Sequence, residues 1–253
     1  MKSLFKAIDT IDAVAEAGNV GIRKLSAITG FPPSTIHRIV SALVSKNYFQ
    51  QDPVTRRYSL SFRFLELGAR FQQQTHLTTI ALPHLEQLMA TTRESVTLAV
   101  RDGDSMVYLD MVQSQYTMLQ LFARPGVRVP LYATGVGKLF LSQMEESELD
   151  AYLQRTKLTP FTAYTLVEKD AIIKDRLKTR SRGYAVDNQE MEEGVRCVAA
   201  LIFDHQGQPT ASVSVTGTAT RLNQDRVRQY GNLVNACAAA ISSQIGFNPT
   251  NSK

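Results

Sequence analysis

Cysteine is scarce in this chain of 253 residues: Cys197 and Cys237 are the whole supply. Neither sits in a CxxC motif, and two thiols cannot build a disulfide-rich scaffold. A reducing, cytoplasmic setting is therefore expected. No run is long and apolar enough to cross a bilayer, so no membrane association is expected. No secretory leader opens the sequence, because Lys2, Lys6 and Asp9 interrupt the early apolar residues. There is no internal repeat and no low-complexity tract. Charge excess is also missing from most of the chain. The formal net charge is +5, yet residues 1–74 hold ten Lys/Arg against five Asp/Glu and residues 75–253 hold eighteen of each. The entire surplus lies in the first third, as expected if that part meets nucleic acid.

What is present begins with Gly21 to Asn47, GIRKLSAITGFPPSTIHRIVSALVSKN. Leu25, Ile28, Phe31, Ile36, Ile39, Val40 and Leu43 fall at helical spacing with one interruption, at Gly30-Phe31-Pro32-Pro33. Gly30 can take the positive φ that ends a helix, the residue before a proline resists the α region, and Pro33 suits a first helical turn. Two helices joined by a tight turn place the second in the major groove of DNA. Ser34, Thr35, His37, Arg38 and Ser41 lie opposite the apolar stripe and can meet phosphates and base edges; Ser34 and Thr35 can alternatively bond orphan N–H groups of the helix start. Tyr48-Phe49 and Tyr58-Leu60 read as two short strands around Asp52-Pro53, with Arg56 and Arg57 beside the turn. The module is expected to be a winged helix. Leu4 to Ala17 should pack beneath it through Leu4, Ile8, Ile11 and Val14. Ser61 to Gln74 reads as a helix leading out of the wing, with Gln72 to Thr75 either a linker or part of one continuous connecting helix.

Beyond it, a helix from about Ile80 to Thr92 precedes SVTLAV and SMVYLDMV, which flank the hairpin signal Asp102-Gly103-Asp104. YTMLQLFA reads as a third strand in which Met118 and Gln120 share one face and Leu119 and Leu121 the other. Arg124 to Thr134 reads as a loop and a helix starts near Gly135. Helices at Glu145–Leu153 and Asp170–Arg180 and a short strand at Tyr184–Asp187 follow. Cys197–Phe203 and Ala211–Thr216 should pair across His205–Gln208, before a last helix from about Leu222 to Ile245. This order predicts an α+β protein whose second domain is an antiparallel sheet flanked by helices. The expected domains are a winged helix over 1–60, a linker helix over 61–76 and a ligand-sensing domain over 77–250.

PPSTIHRIVSAL, Tyr58-Ser59-Leu60, Leu67-Gly68, ATGVGKLFL at 133–141, Arg182 to Asp187, Glu193 to Ala200 and Ser212 to Val215 occur in this order. In these motifs the chain resembles the IclR family of bacterial transcriptional regulators over nearly its whole length. The resemblance implies a C-terminal effector-binding domain with a GAF- or PAS-like sheet, dimers or tetramers on palindromic operators in double-stranded DNA, and a small-molecule effector, commonly a carboxylate or an aromatic compound. It implies repression switched by that effector, and no cofactor. The effector-binding residues it implies are Gly135, Val136, Asp187, Cys197, Ser214 and Thr216. Asn47 stands where the family usually has glycine, and Asn also tolerates the left-handed conformation. Thr216 stands where a serine is common, and its methyl group bears on effector size.

The residue types agree with that assignment. A glycine-rich helix start offers N–H groups and a positive dipole end to a carboxylate. Ser214 and Thr216 alternate with Val213 and Val215 and so share one strand face. Arg124 and Arg128 precede Gly135 and could reach in. Two other functions compete. One is an enzyme with Cys197 as nucleophile and Asp187 and His205 as partners, but no nucleophile motif is present. The other is a metal held by Asp187 and Cys197, but a site normally needs three or four ligands. Gly135-Val136-Gly137-Lys138 lacks the spacing of a phosphate loop. No catalytic and no metal-binding residue is expected.

Overall fold

In a computed structural model of the chain, residues 2–74, 76–116 and 123–248 are described here. The chain divides into two compact units, residues 1–75 and 76–253.

The first unit holds α1 (Lys2–Ala17), α2 (Ile22–Thr29), α3 (Pro33–Ser45), β1 (Phe49–Gln51), β2 (Tyr58–Leu60) and α4 (Arg63–Gln74). Its core gathers Val14, Val20, Leu25, Ile36, Val40, Phe49 and Tyr58. The turn between α2 and α3 follows the sequence closely. Gly30 adopts φ 72° and Pro33 stands in the first turn of α3. Two side chains fasten that turn: the Ser26 hydroxyl donates to the Phe31 carbonyl at 2.6 Å and Thr29 donates to Leu25 at 2.8 Å. Asn47 is left-handed at φ 60°, as its place after α3 requires. In the wing β2 spans Tyr58–Leu60 as expected, whereas β1 begins at Phe49, and Tyr48 serves instead to close the turn after α3. A bridge from Val20 to Tyr58 adds a third strand segment. The stripe on α1 is only half used. Val14 is buried and Ile11 partly so, but Leu4, Phe5 and Ile8 remain 65, 62 and 46 % exposed.

The second unit holds α5 (His76–Thr92), β3 (Ser95–Asp102), β4 (Ser105–Val112), β5 (Arg128–Pro130), α6 (Gly135–Gln143), α7 (Glu146–Arg155), α8 (Lys169–Arg182), β6 (Ala185–Asn188), β7 (Val195–Phe203), β8 (Pro209–Thr218) and α9 (Gln224–Gln244). The strands form one antiparallel sheet in the order β5-β4-β3-β8-β7-β6. Alternation along each strand divides the interior in two. Leu98, Val198, Ala200, Val213 and Val215 pack under α5 and α9. Ala99, Cys197, Ala199 and Leu201 face the opposite layer, with α6, α7 and α8. The expected loop is not wholly a loop. The stretch 124–134 contains an edge strand, β5, paired with β4 through Val129 and Met106. The expected third strand falls mostly on residues 117–122, outside the described residues, and so does Thr75, on which the choice between a linker and a continuous helix turns.

Candidate functional site

Each unit carries one candidate site. In the first, the buried residues Ile36, Ile39 and Val40 turn α3 so that Ser34, His37, Arg38 and Ser41 are exposed along one line at i, i+3, i+4 and i+7 spacing. Thr35 is half-buried beside them. Neither Ser34 nor Thr35 caps the helix, which has no side-chain cap, so the capping alternative falls away. Between α3 and the wing lies a groove of about 760 Å³. Arg56 and Arg57 line it from the wing, His37 and Ser41 from α3, and Arg23 and Lys24 from α2. Among the described residues no acidic one lines it. Arg23 and Lys24 escaped the sequence reading; their signal was a basic pair directly after Gly21, at the start of α2. The wing tip is held by Asp52, whose carboxylate accepts from the N–H groups of Val54 and Thr55, both at 2.8 Å. These bonds hold its carboxyl below the usual range. They also hold Arg56 at φ 57°, with its side chain outward.

In the second unit the sheet register assembles a row. Asp187 pairs with Cys197, and Cys197 with Thr216, across β6, β7 and β8. The first turn of α6 lies over that row: a Cβ on Gly135 would stand 3.1 Å from the Cys197 sulfur and 3.5 Å from the Asp187 nitrogen. Together they border a cavity of about 290 Å³. Its apolar wall comes from Tyr108, Ala123, Val129, Val136, Met191 and Val195, and Thr134 and Glu192 complete it. Five of the six expected residues, Gly135, Val136, Asp187, Cys197 and Thr216, line this cavity. Ser214 does not. It sits one row further along β8, paired with Ala199, where its hydroxyl bonds Thr97 at 2.7 Å. The same-face argument holds for Ser214 and Thr216, but two residues along a strand is about 7 Å, enough to leave the cavity.

The α6 start is built from main chain. Thr134 caps it by accepting from the Gly137 N–H at 3.2 Å. Gly135 and Val136, in the first turn, line the cavity, and N–H groups at that position in a helix have no intrahelical acceptors. Gly137 has a packing reason: a Cβ there would lie 2.4 Å from the Leu131 Cα. Among the described residues no Lys or Arg lines the cavity. Arg128 pairs with Asp102 on the protein surface, and Arg124 is exposed. The nearby cation is Lys138, 4 % exposed and fully engaged. It donates to Glu190 at 2.6 Å, to the Val186 carbonyl at 2.7 Å and pairs with Asp175 at 2.9 Å. This cluster was missed because Lys138 reads as an ordinary helix residue and its partners are 37 and 52 positions away in sequence.

Burial and then the Glu190 charge push the Asp187 carboxyl up to about 7. Burial, followed by Asp187, lifts the Cys197 thiol to about 11. A thiol so protonated is a poor nucleophile. His205 lies in the turn beyond β7, whose Cys197 end is about 20 Å from its Phe203 end at strand rise. The enzyme reading therefore loses its nucleophile and one of its two partners, His205. Among the described residues no group of three or more His, Cys, Asp or Glu is placed to hold a metal.

A winged helix on one unit and a sheet-borne cavity on another are the build of a ligand-responsive transcriptional regulator. Known proteins agree. The family description "Bacterial transcriptional regulator IclR C-terminal" matches residues 69–243, and "IclR helix-turn-helix domain" matches residues 3–53. The chain belongs to the IclR family. It is 31 % identical over 247 residues to the Escherichia coli regulator KdgR, covering 98 % of this chain and 94 % of that one. It is 32 % identical over 248 residues to the E. coli transcriptional repressor IclR, covering 97 % and 90 %. An IclR homologue from Microbacterium hydrocarbonoxydans, solved with 4-hydroxybenzoate, shares the fold with a TM-score of 0.85 at 20 % identity, over 96 % of this chain and 98 % of that one. The curated relatives are named as regulators, and this chain is a transcriptional regulator with an effector-binding domain, not an enzyme.

Proposed function

We propose that this regulator is a repressor released or tightened on a palindromic operator by a small organic acid, aliphatic or aromatic, bound in the 290 Å³ cavity. The observation that carries the reading is the meeting of the α6 start with the Asp187–Cys197–Thr216 row. The acid group is received by the Gly135 and Val136 N–H groups, and a hydroxyl or N–H of the ligand donates to Asp187 or bonds Thr216. The apolar wall takes the body of the ligand. The absence of lining cations disfavours a multiply charged anion, since each extra carboxylate would lose water without gaining a partner. Operator contacts come from Ser34, Thr35, His37, Arg38, Arg56 and Arg57, joined by Arg23 and Lys24 on phosphates. A cytoplasmic regulator of this kind works as a dimer or tetramer. The exposed Leu4, Phe5 and Ile8 of α1, with Phe62 and Leu65 at 77 and 69 % exposure, support self-association of the first unit. The stretch 61–76, which contains α4, serves as the connection between the units.

The test is a thermal-shift screen of the purified protein against small carboxylic and aromatic acids, 4-hydroxybenzoate among them. A ligand at about 100 times its Kd adds about 2.7 kcal/mol of stability. The expected result is a hit that disappears in Asp187→Ala and changes operator affinity. A hit preserved in Asp187→Ala, or one that leaves operator affinity unchanged, overturns the proposal.

A further inference from the structure

Three of the cavity's lining residues, Asp187, Met191 and Glu192, lie at the end of β6 or in the turn that follows it. That turn is irregular: Gln189 takes φ 66° and Gly194 φ 81°. Its shape is imposed by bonds to its polar groups. Asp187 accepts from the Glu190 N–H at 2.7 Å, and the Glu190 carboxylate accepts from Lys138 at 2.6 Å and from the Asn188 N–H at 3.3 Å. Thr165 donates to the Glu190 carbonyl at 2.6 Å. Lys138 reaches the turn from α6, the helix whose start also lines the cavity, and also holds Asp175 of α8. Arg176, the next residue on α8, donates to the carbonyls of Leu141 and Met144 at the far end of α6. Thus α6 and α8 are tied at two levels, and Lys138 ties both to the turn.

We propose that Lys138 is a positioning residue of the effector cavity, the clamp that sets the β6–β7 turn against α6 and α8 and so fixes where Asp187 and Met191 stand. The assignment of the cavity as the effector site rests on the function proposed above; the clamp itself is tested without any ligand. An ordinary core ion pair would join two helices, and its worth would be indifferent to which loop stood nearby. This cation instead takes a main-chain carbonyl of β6, Val186, together with a side chain of the turn, so three segments converge on one ammonium group. Burial alone would discharge Lys138; the charges of Glu190 and Asp175 outweigh it and hold its pKa above the usual value, so the clamp is charged. The second carboxylate oxygen of Glu190 is buried without a hydrogen-bond partner among the described residues. Glu190 therefore depends on Lys138 for its place, because an uncompensated buried carboxylate has strong reason to move to water.

Cys197 reports on the turn, since it faces Asp187 across β6 and β7 and its thiol is buried. The experiment measures its modification by a water-soluble disulfide reagent in a Cys237→Ser background, at native pH and below the unfolding range, where the rate of a buried thiol follows local opening. In Lys138→Met the rate is expected to rise at least tenfold, in Asp175→Asn by a smaller factor, and in Lys138→Arg little. The double variant Lys138→Met/Glu190→Gln removes both charges, so its thermal midpoint should return toward the parent while Cys197 stays fast. An unchanged rate in folded Lys138→Met overturns the proposal. So does a double variant in which midpoint and rate return together, which makes Lys138 a charge-balancing core residue only. Should Lys138→Met fail to fold, the double variant decides by the same rate. A failed ligand screen with a fast Cys197 would discard the effector reading and keep the clamp.

Discussion

The two candidate sites solve recognition in opposite ways. The groove beside α3 is open and wholly cationic among its charged lining residues, and the side chains that would read DNA have solvent for a neighbour. The cavity beside α6 is smaller, mostly apolar and bordered by acids; its proposed donors are main-chain N–H groups, and the nearby Lys138 is consumed by Asp175 and Glu190. A polyanion as long as DNA is met by many weak, screened contacts whose sum matters. A small ligand is met by few groups whose placement matters. Exposed arginines can therefore be changed with little effect on the fold, whereas almost any change at the cavity is also a change in the core.

That contrast can be broken at several points. The largest effect is expected at Gly137, where a methyl group would meet the main chain of Leu131. Gly137→Ala should cost about 3 kcal/mol, or about 6–12 °C in Tm for a unit of this size, read by calorimetry. A Tm within 2 °C of the parent would mean that α6 is free to shift. Next, Arg38→Ala should weaken binding to an operator fragment about ten- to hundredfold with no loss of Tm. Arg56→Ala and Arg57→Ala should each lower the slope of log affinity against log salt by about one. An Arg38→Ala variant that loses Tm as well would blur the distinction between the sites.

Third is the pH response of Asp187. Its carboxyl is raised to about 7 in the folded chain, against about 4 unfolded, so the folded state binds the proton more tightly. Stability from this group is present at low pH and declines as pH rises from about 4 through about 7. Asp187→Asn, which can still accept from the Glu190 N–H, should flatten that decline and be relatively more stable at pH 8 than at pH 5. Parallel curves for parent and variant would sink the assignment. The smallest effect is at Ser214. Ser214→Ala strands the Thr97 hydroxyl and should cost about 1 kcal/mol, while leaving the affinity for any ligand found in the screen within twofold.

The fold was legible where local rules and burial agree. Gly30, Pro33 and Asn47 mark the ends of α2 and α3, and the alternation in β7 and β8 gives both the hairpin and its inward faces. β5 was hidden because a three-residue strand that follows Gly126 and ends in Pro130 has no period to display. Five cavity residues could be named from the sequence because they resemble a family pattern; the place of Ser214 could not, since it depends on the register of β8 against β3. Tyr108, Val129 and Met191 carry no chemical signature and are found only when the sheet closes. Lys138 is the sharpest case. Nothing local distinguishes it from a solvated lysine, and its meaning lies in Asp175 and Glu190, brought to it by tertiary packing.

The glycines at 135 and 137 have a consequence for how such regulators diversify. The N–H groups at the α6 start belong to the backbone, and Gly137 seats that backbone against the main chain of Leu131, which is not part of the cavity lining. Under the proposed function, substitutions at Tyr108, Val129, Met191 or Thr216 can therefore accumulate in a lineage and alter which molecule is sensed, while the seat proposed for its acid group is inherited unchanged.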